Sequence, residues 1–428
     1  MSGEVRSGWS REVYSAWSPN WREVPLWAIF DRVKDVGHPN EDLLSVYRDH
    51  GVVRREGRDG NNNKTALDRT IYQLVHPGWF VVNRMKAWQG SVGVSRLRGI
   101  VSGHYICFRP KHHEDSRFLN WLLRSNIYAT EYAARSRGVR PSQMEIDNDE
   151  LRVLPIHLPP VEEQRRIADF LDAETSRIDA LGALRSRQIG LVSAGWIATL
   201  SDEMDNLAAI HGSVRLRHWV SSIQQGWSPQ CDDRIAGPDE WAVLKAGCVN
   251  TGRFDPLQHK ALPPKIAPRE EYLLKIGDLL MSRASGSPDL IGSIGVVRDL
   301  PAKLLLCDKI YRITPDFMVA MAEFLAYALR GYGNREHIKN GISGAEGMAN
   351  NLPVSVVKDC LIPKAPIQSQ AAVVGRLDRQ AAAVESATNA LRRSTVLLSE
   401  RRQSLITAAV TGQFDVTTAS GRNLTQGV

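Results

Sequence analysis

Cysteine is scarce in this chain. Cys107, Cys231, Cys248, Cys307 and Cys360 are scattered over 428 positions with no C-x-x-C pair. That argues against a zinc ribbon and a disulfide framework and fits a reducing cytoplasm. The eleven histidines include His112-His113 but no H-x-x-x-H or H-E-x-x-H spacing, so a helical zinc-hydrolase site is not expected. No apolar run approaches the roughly eighteen residues of a membrane span. The opening MSGEVRSGWSREVYS lacks the apolar core of a signal peptide. Catalytic motifs are missing as well. The Pro-Pro pairs at 159–160 and 263–264 each follow leucine, whereas an adenine methyltransferase needs Asn or Asp there to grip the flipped base. No G-x-x-x-x-G-K-[ST] is present to cradle a nucleotide phosphate. PDEWAVLK (238–245) approaches a nuclease metal site but has Val243 where the glutamate should stand. No catalytic residue and no metal ligand is therefore expected.

What remains is an ordinary globular composition, 43% hydrophobic and 24% charged, long enough for two or three domains. The net charge of +7 points weakly to a polyanionic partner.

The stretch from Leu158, LPPVEEQRRIADFLDAETSRIDAL, reads as the start of one long helix. Pro159 and Pro160 suit a helix start, where a missing N–H costs nothing. Glu162 and Glu163 meet the positive end of the helix dipole. Ile167, Leu171, Ile178, Leu181, Ile189 and Val192 recur on one face. A second copy runs from Pro363 to Gly412, with Pro160-x-x-x-Gln164 matched by Pro366-x-x-x-Gln370 at a shift of 206 residues. In it Leu377, Val384, Leu391, Leu398 and Leu405 stand seven apart, the pairing signature of a left-handed coiled coil. Val374 and Ala381 begin a companion row that turns polar at Thr388, Thr395 and Arg402. The matching row of the first copy retains Leu171, Ile178 and Val192.

The globular stretches between the helices also shadow one another. GWFVVNRMKAWQGSVGV (78–94) aligns with GDLLMSRASGSPDLIGSIGVV (277–297), placing Arg84 opposite Arg283. Phe118–Ala134 reads as a helix matched by MAEFLAYALRGY, and the run from Tyr47 to Thr70 reads as a basic loop. The organisation is globe, helix, globe, helix, an internal duplication. Expected boundaries are 1–157 and 211–362 for the globes, 158–210 and 363–416 for the helices, and a tail at 417–428. The fold class is α+β: two mixed globes separated by two long antiparallel helices with pseudo-twofold symmetry.

LPPVEEQRRIADFLDAETSRIDAL and ERRQSLITAAVTGQFDV (400–416) resemble the central and distal conserved regions of type I restriction–modification specificity (S) subunits. The resemblance covers roughly residues 20–416. It implies two target recognition domains reading the halves of a split double-stranded DNA site. The paired helices would hold them a fixed distance apart and form the platform for two methyltransferase (M) subunits, and two restriction (R) subunits would complete the nuclease. S-adenosylmethionine, ATP and Mg would be used by those other subunits, with none bound by this chain. Pro160, Gln164, Pro366, Gln370, Arg401 and Arg402 become candidate subunit contacts, although Gln164 and Gln370 also suit capping of their own helices. The first helix, ending AGWIATLSDEM, lacks the VTG ending of the second, and IQSQAA lacks the acidic pair.

Arginine is the best reader of guanine and lysine the standard phosphate contact. Candidates in the first globe are Arg54, Arg55, Lys64, Arg84, Lys86, Arg135, Arg137 and Arg140. In the second they are Lys245, Arg283, Lys309, Arg335 and Lys339. The alternative from another class is a non-catalytic coiled-coil scaffold with two ligand-binding globes.

Overall fold

A computed structural model of the chain describes residues 17–55, 69–138, 144–343 and 350–416. Its helices are α1 (Leu26–Ile29), α2 (Ser116–Leu123), α3 (Asn126–Arg135), α4 (Asn148–Arg152), α5 (Val161–His211), α6 (Ala322–Arg330), α7 (Tyr332–Asn340), α8 (Val354–Asp359) and α9 (Ile367–Val410). The described residues form two compact units, one within 1–185 and 393–428, the other within 186–392. Each unit thus takes part of both long helices, so the helices are not separate domains.

In the first unit the frame is a four-stranded antiparallel sheet in the order Phe30–Val33, Tyr105–Pro110, Phe80–Asn83, Val92–Val94. The central strand, Phe-Val-Val-Asn, is β-branched and aromatic as strands prefer, and Phe80, Val81 and Val82 are fully buried. Val82 lies opposite Ile106 on one side and Val92 on the other. Phe118, Leu119, Leu122 and Leu123 of α2 pack on this core with Leu171 of α5 and Val410 of α9. The expected single helix over Phe118–Ala134 is broken. Ser125 adopts an extended backbone (φ −64, ψ 158) between α2 and α3, and the Tyr132 hydroxyl donates to the Leu123 carbonyl across the break. The expected loop after Tyr47 is in part a hairpin, Leu44–Tyr47 against Gly51–Arg54.

The second unit repeats the frame. Val220–Gln225, Ile310–Pro315, Leu279–Ser282 and Ile294–Val296 take the same order, with Met281 opposite both Ile294 and Tyr311. It adds a three-stranded sheet, His259–Ala261, Trp241–Leu244 and Lys303–Leu305, over a core of its own. The near-nuclease sequence falls on the middle strand of that sheet, and Val243 is simply buried there.

α5 and α9 pair antiparallel. In the first unit, as α5 advances from Phe170 to Asp179, the other chain segment runs back from Phe414 to Arg402. In the second unit Leu200, Met204 and Leu207 of α5 share a core with Val373, Val374 and Leu377 of α9. Both heptad rows of α9 point inward: Leu377 is buried, Val384, Leu391, Leu398 and Leu405 are half-buried, and Thr388 of the polar companion row is buried. On α5, Leu171 and Ile178 are buried and Val192 half-buried. Beyond it the inward positions move to Trp196, Leu200 and Met204, a four-residue step that interrupts the seven-residue repeat.

The two helices are 51 and 44 residues long. That inequality corrects the expected missing ending. Ala208-Ala209-Ile210-His211-Gly212 answers Ala408-Ala409-Val410-Thr411-Gly412, but at a shift of 200 residues. Both glycines take the left-handed conformation that stops a helix, at φ 75 and 74.

Candidate nucleic-acid interface

Arg84 and Arg283 occupy the same place in the two frames. The Arg84 N–H donates to the His104 carbonyl and its own carbonyl accepts from Ile146 N–H. Arg283 does the same with Lys309 and Leu352. Each arginine therefore ties a frame strand to the segment that leads into α4 or α8. The side chains diverge. Arg84 pairs with Glu145 and, at 3.4 Å, with Asp147. Arg283 donates to the Asp308 carbonyl at 3.1 Å and lies over the Tyr311 ring. Beside them stand two exposed lysines, Lys86 and Lys309. Neither has an acidic partner among the described residues, so both ammonium groups are available to phosphate.

The other candidates are engaged to different degrees. Arg54 pairs with Asp42 at 3.2 Å and is two-thirds exposed. The backbone N–H of Arg55 donates to the Leu43 carbonyl. Arg137 is 76% exposed while paired to Glu150 at 2.6 Å. Lys245 is 3.5 Å from Asp233, and Lys339 3.6 Å from Asp289. Arg335 is half-buried and donates to the Ile291 and Asp289 carbonyls. Burial lowers its pKa. Lys64 and Arg140 lie outside the described residues.

Three expectations are corrected. Arg135 is no surface contact: its side chain is 12% exposed and bonded to the buried Glu131 at 3.0 Å. Gln164 and Gln370 are no partner contacts, because both are fully buried with both ends of the amide bonded inside the fold. Gln164 accepts from Asp115 N–H (2.9 Å) and donates to the Pro159 carbonyl (2.9 Å) and to Glu114. Gln370 accepts from Met321 N–H (3.0 Å) and donates to the carbonyls of Val319 (2.7 Å) and Ala365 (2.8 Å). Pro160, Pro366 and Arg401 are exposed. Arg402 is held inward by Asp179 and the Trp121 ring.

Two residues passed over in the sequence share this symmetry. Asp172 accepts from the Trp121 indole N–H at 2.9 Å, and Asp378 from the Tyr327 hydroxyl at 2.6 Å. The signal was present in the repeated Leu-Asp at 171–172 and 377–378.

Among the described residues no cluster of His, Cys, Asp or Glu is arranged to hold a metal. The five cysteines are free thiols, and burial pushes Cys107 and Cys360 up to about 12, far from thiolate chemistry. No helix among the described residues is long and apolar enough to cross a membrane.

The family model for the type I restriction modification DNA specificity domain matches residues 21–186. The chain is 21% identical to the type I restriction enzyme EcoKI specificity subunit of Escherichia coli (strain K12), over 92% of this chain and 89% of that one. It is 20% identical to the StySPI specificity subunit of Salmonella potsdam, over the same shares. A solved chain from a study of complex assembly and conformational transition of the type I R-M system superposes with a TM-score of 0.65. It is 18% identical, covering 93% of this chain and 99% of that one. The chain thus carries a match to that DNA specificity domain over residues 21–186 and is similar over nearly its whole length to type I restriction enzyme specificity subunits.

Proposed function

We propose that this chain reads a split double-stranded DNA site, one half with each unit, and carries no chemistry itself. The observation that supports this reading is the repeated frame with an arginine at the same point in each copy and beside it an exposed lysine that has no acidic partner among the described residues. Two such readers on one chain call for two half-sites, and the near-twofold duplication lets a partner that binds one half bind the other equivalently. The partners are two methyltransferase and two restriction subunits in the cytoplasm. Those subunits use S-adenosylmethionine, ATP and Mg. Lys86 and Lys309 contact phosphate, and Arg84 and the exposed Arg137 lie where the first unit reads bases. The exposed Pro160, Pro366 and Arg401 are available to the methyltransferase.

Methylome sequencing tests this. Cells expressing the chain with its neighbouring methyltransferase gene gain a split adenine-methylated motif that disappears when this chain is deleted. Unchanged methylation on deletion contradicts the reading.

A further inference from the structure

Each long helix is fastened to its own globe at two points, and the same residues do it in both units. The first is the buried glutamine in the first turn. Gln164 grips the backbone N–H of Asp115, the residue that caps α2, and Gln370 grips that of Met321, the residue before α6. The second lies eight residues further along each long helix. Asp172 takes the indole N–H of Trp121 in α2, and Asp378 takes the hydroxyl of Tyr327 in α6. A third element reaches the same carboxylates: Arg96, just past the strand Val92–Val94, is 3.8 Å from Asp172, and Arg298, just past Ile294–Val296, is 3.5 Å from Asp378.

One bolt would leave a rotation free. Two, at the start of the short helix and six residues along it, fix its direction against the long helix. The bonds are of the directional kind, and those at aspartate are charge-assisted. An amide buried with all its bonds satisfied holds one geometry, because any other leaves an unpaired polar group in the interior. The two glutamines are fully buried and so out of reach of a base.

We propose that Gln164 with Asp172, and Gln370 with Asp378, are positioning residues that set the angle of each reader on its helix. They thereby fix the spacing between half-sites and leave the bases within them to the globes. This rests on the split-site reading above.

The test uses the full chain with its neighbouring methyltransferase gene, scored by methylome sequencing. In the variant carrying Gln164→Leu and Asp172→Ala, both half-site sequences persist. New methylated sites appear whose gap differs by about one base pair, a step of about 3.4 Å along the duplex. Trp121→Phe, which removes a single donor on a half-buried ring, gives the same broadening more weakly. Asp172→Asn alone, whose side-chain oxygen still accepts from Trp121, keeps the single spacing. Melting temperatures measured alongside separate positioning from folding. An even loss of methylation that tracks a lowered melting temperature, with the gap unchanged, overturns the proposal. So does any change of a recognised base. A wild-type chain that directs no split motif overturns the split-site reading, and the positioning role with it.

Discussion

Between its first and fourth frame strands by position in the chain, the first unit carries two small two-stranded pairs, Leu44–Tyr47 with Gly51–Arg54 and Gln73–Val75 with Gly99–Val101. In the corresponding interval the second unit builds a three-stranded sheet with a separate apolar core. The frames beneath are the same, down to strand order and the aromatic-to-aspartate bonds. The contrast teaches where variation is tolerated. Residues that seat a globe on its helix recur, while those projecting from the frame do not, and the latter are free to change what is recognised.

The two units also close differently. In the second, α5 runs through Gly212 into the strand Ser213–Arg215, which pairs with Leu361–Pro363. In the first, the matching strand, Arg22–Pro25, comes from the start of the chain and pairs with Pro155–Leu158. Ser18 N–H reaches the Thr411 carbonyl at 2.9 Å, and Trp17 and Trp21 join the core beside Ile406 and Val410.

If the frames are equivalent, equivalent cuts should cost the same. Phe118 and Phe324 are both fully buried. Phe118→Ala and Phe324→Ala should each lower the unfolding free energy by about 3–5 kcal/mol in urea titrations. A large inequality would break the equivalence. The helix stops should sharpen it. A Cβ on Gly212 meets nothing within 4 Å, whereas one on Gly412 comes within 2.7 Å of Ser18 and 3.0 Å of Trp21. Gly212→Ala should therefore cost about 1–2 kcal/mol, the left-handed penalty alone. Gly412→Ala should cost about 1–3 kcal/mol more from crowding.

Acid should separate the units further. His157 stacks on Trp17 at 4.0 Å, and burial holds its pKa at about 4 against an ordinary 6.5. The unfolded chain takes up that proton first, so stability is complete above pH 6.5 and falls as the pH drops toward 4. Glu23, 3.9 Å away, is the acid that faces it. The second unit has Pro363 at this place. His157→Phe should flatten the fall in denaturation midpoint between pH 6.5 and 4.5. The smallest effect belongs to the lysines. Lys86→Ala and Lys309→Ala should each reduce the salt dependence of DNA binding by about one counterion and leave the recognised bases unchanged.

The frame was legible because long-range periodicity survives in a single sequence. The heptad row from Leu377 to Leu405, the two PxxxQ starts and the strands around Phe80 and Tyr105 all lie near where the pattern places them. The ending of the first long helix was hidden because the shift between copies changes from 206 to 200 along the helix. The three-stranded sheet of the second unit has no counterpart to betray it. The interface was less legible still. Charge type says nothing of whether a guanidinium is spent on a neighbour, as Arg135 and Arg335 are, or whether a lysine such as Lys86 lacks an acidic partner among the described residues. A buried glutamine and an exposed one look alike until their partners, here fifty residues away in sequence, are brought to them.

Two readers built on one repeated frame should act independently. The most direct measurement replaces residues 1–157 with the equivalent segment of another specificity subunit and maps the methylated motif. One half-site should change completely while the other stays as it was. Alteration of both half-sites would contradict it.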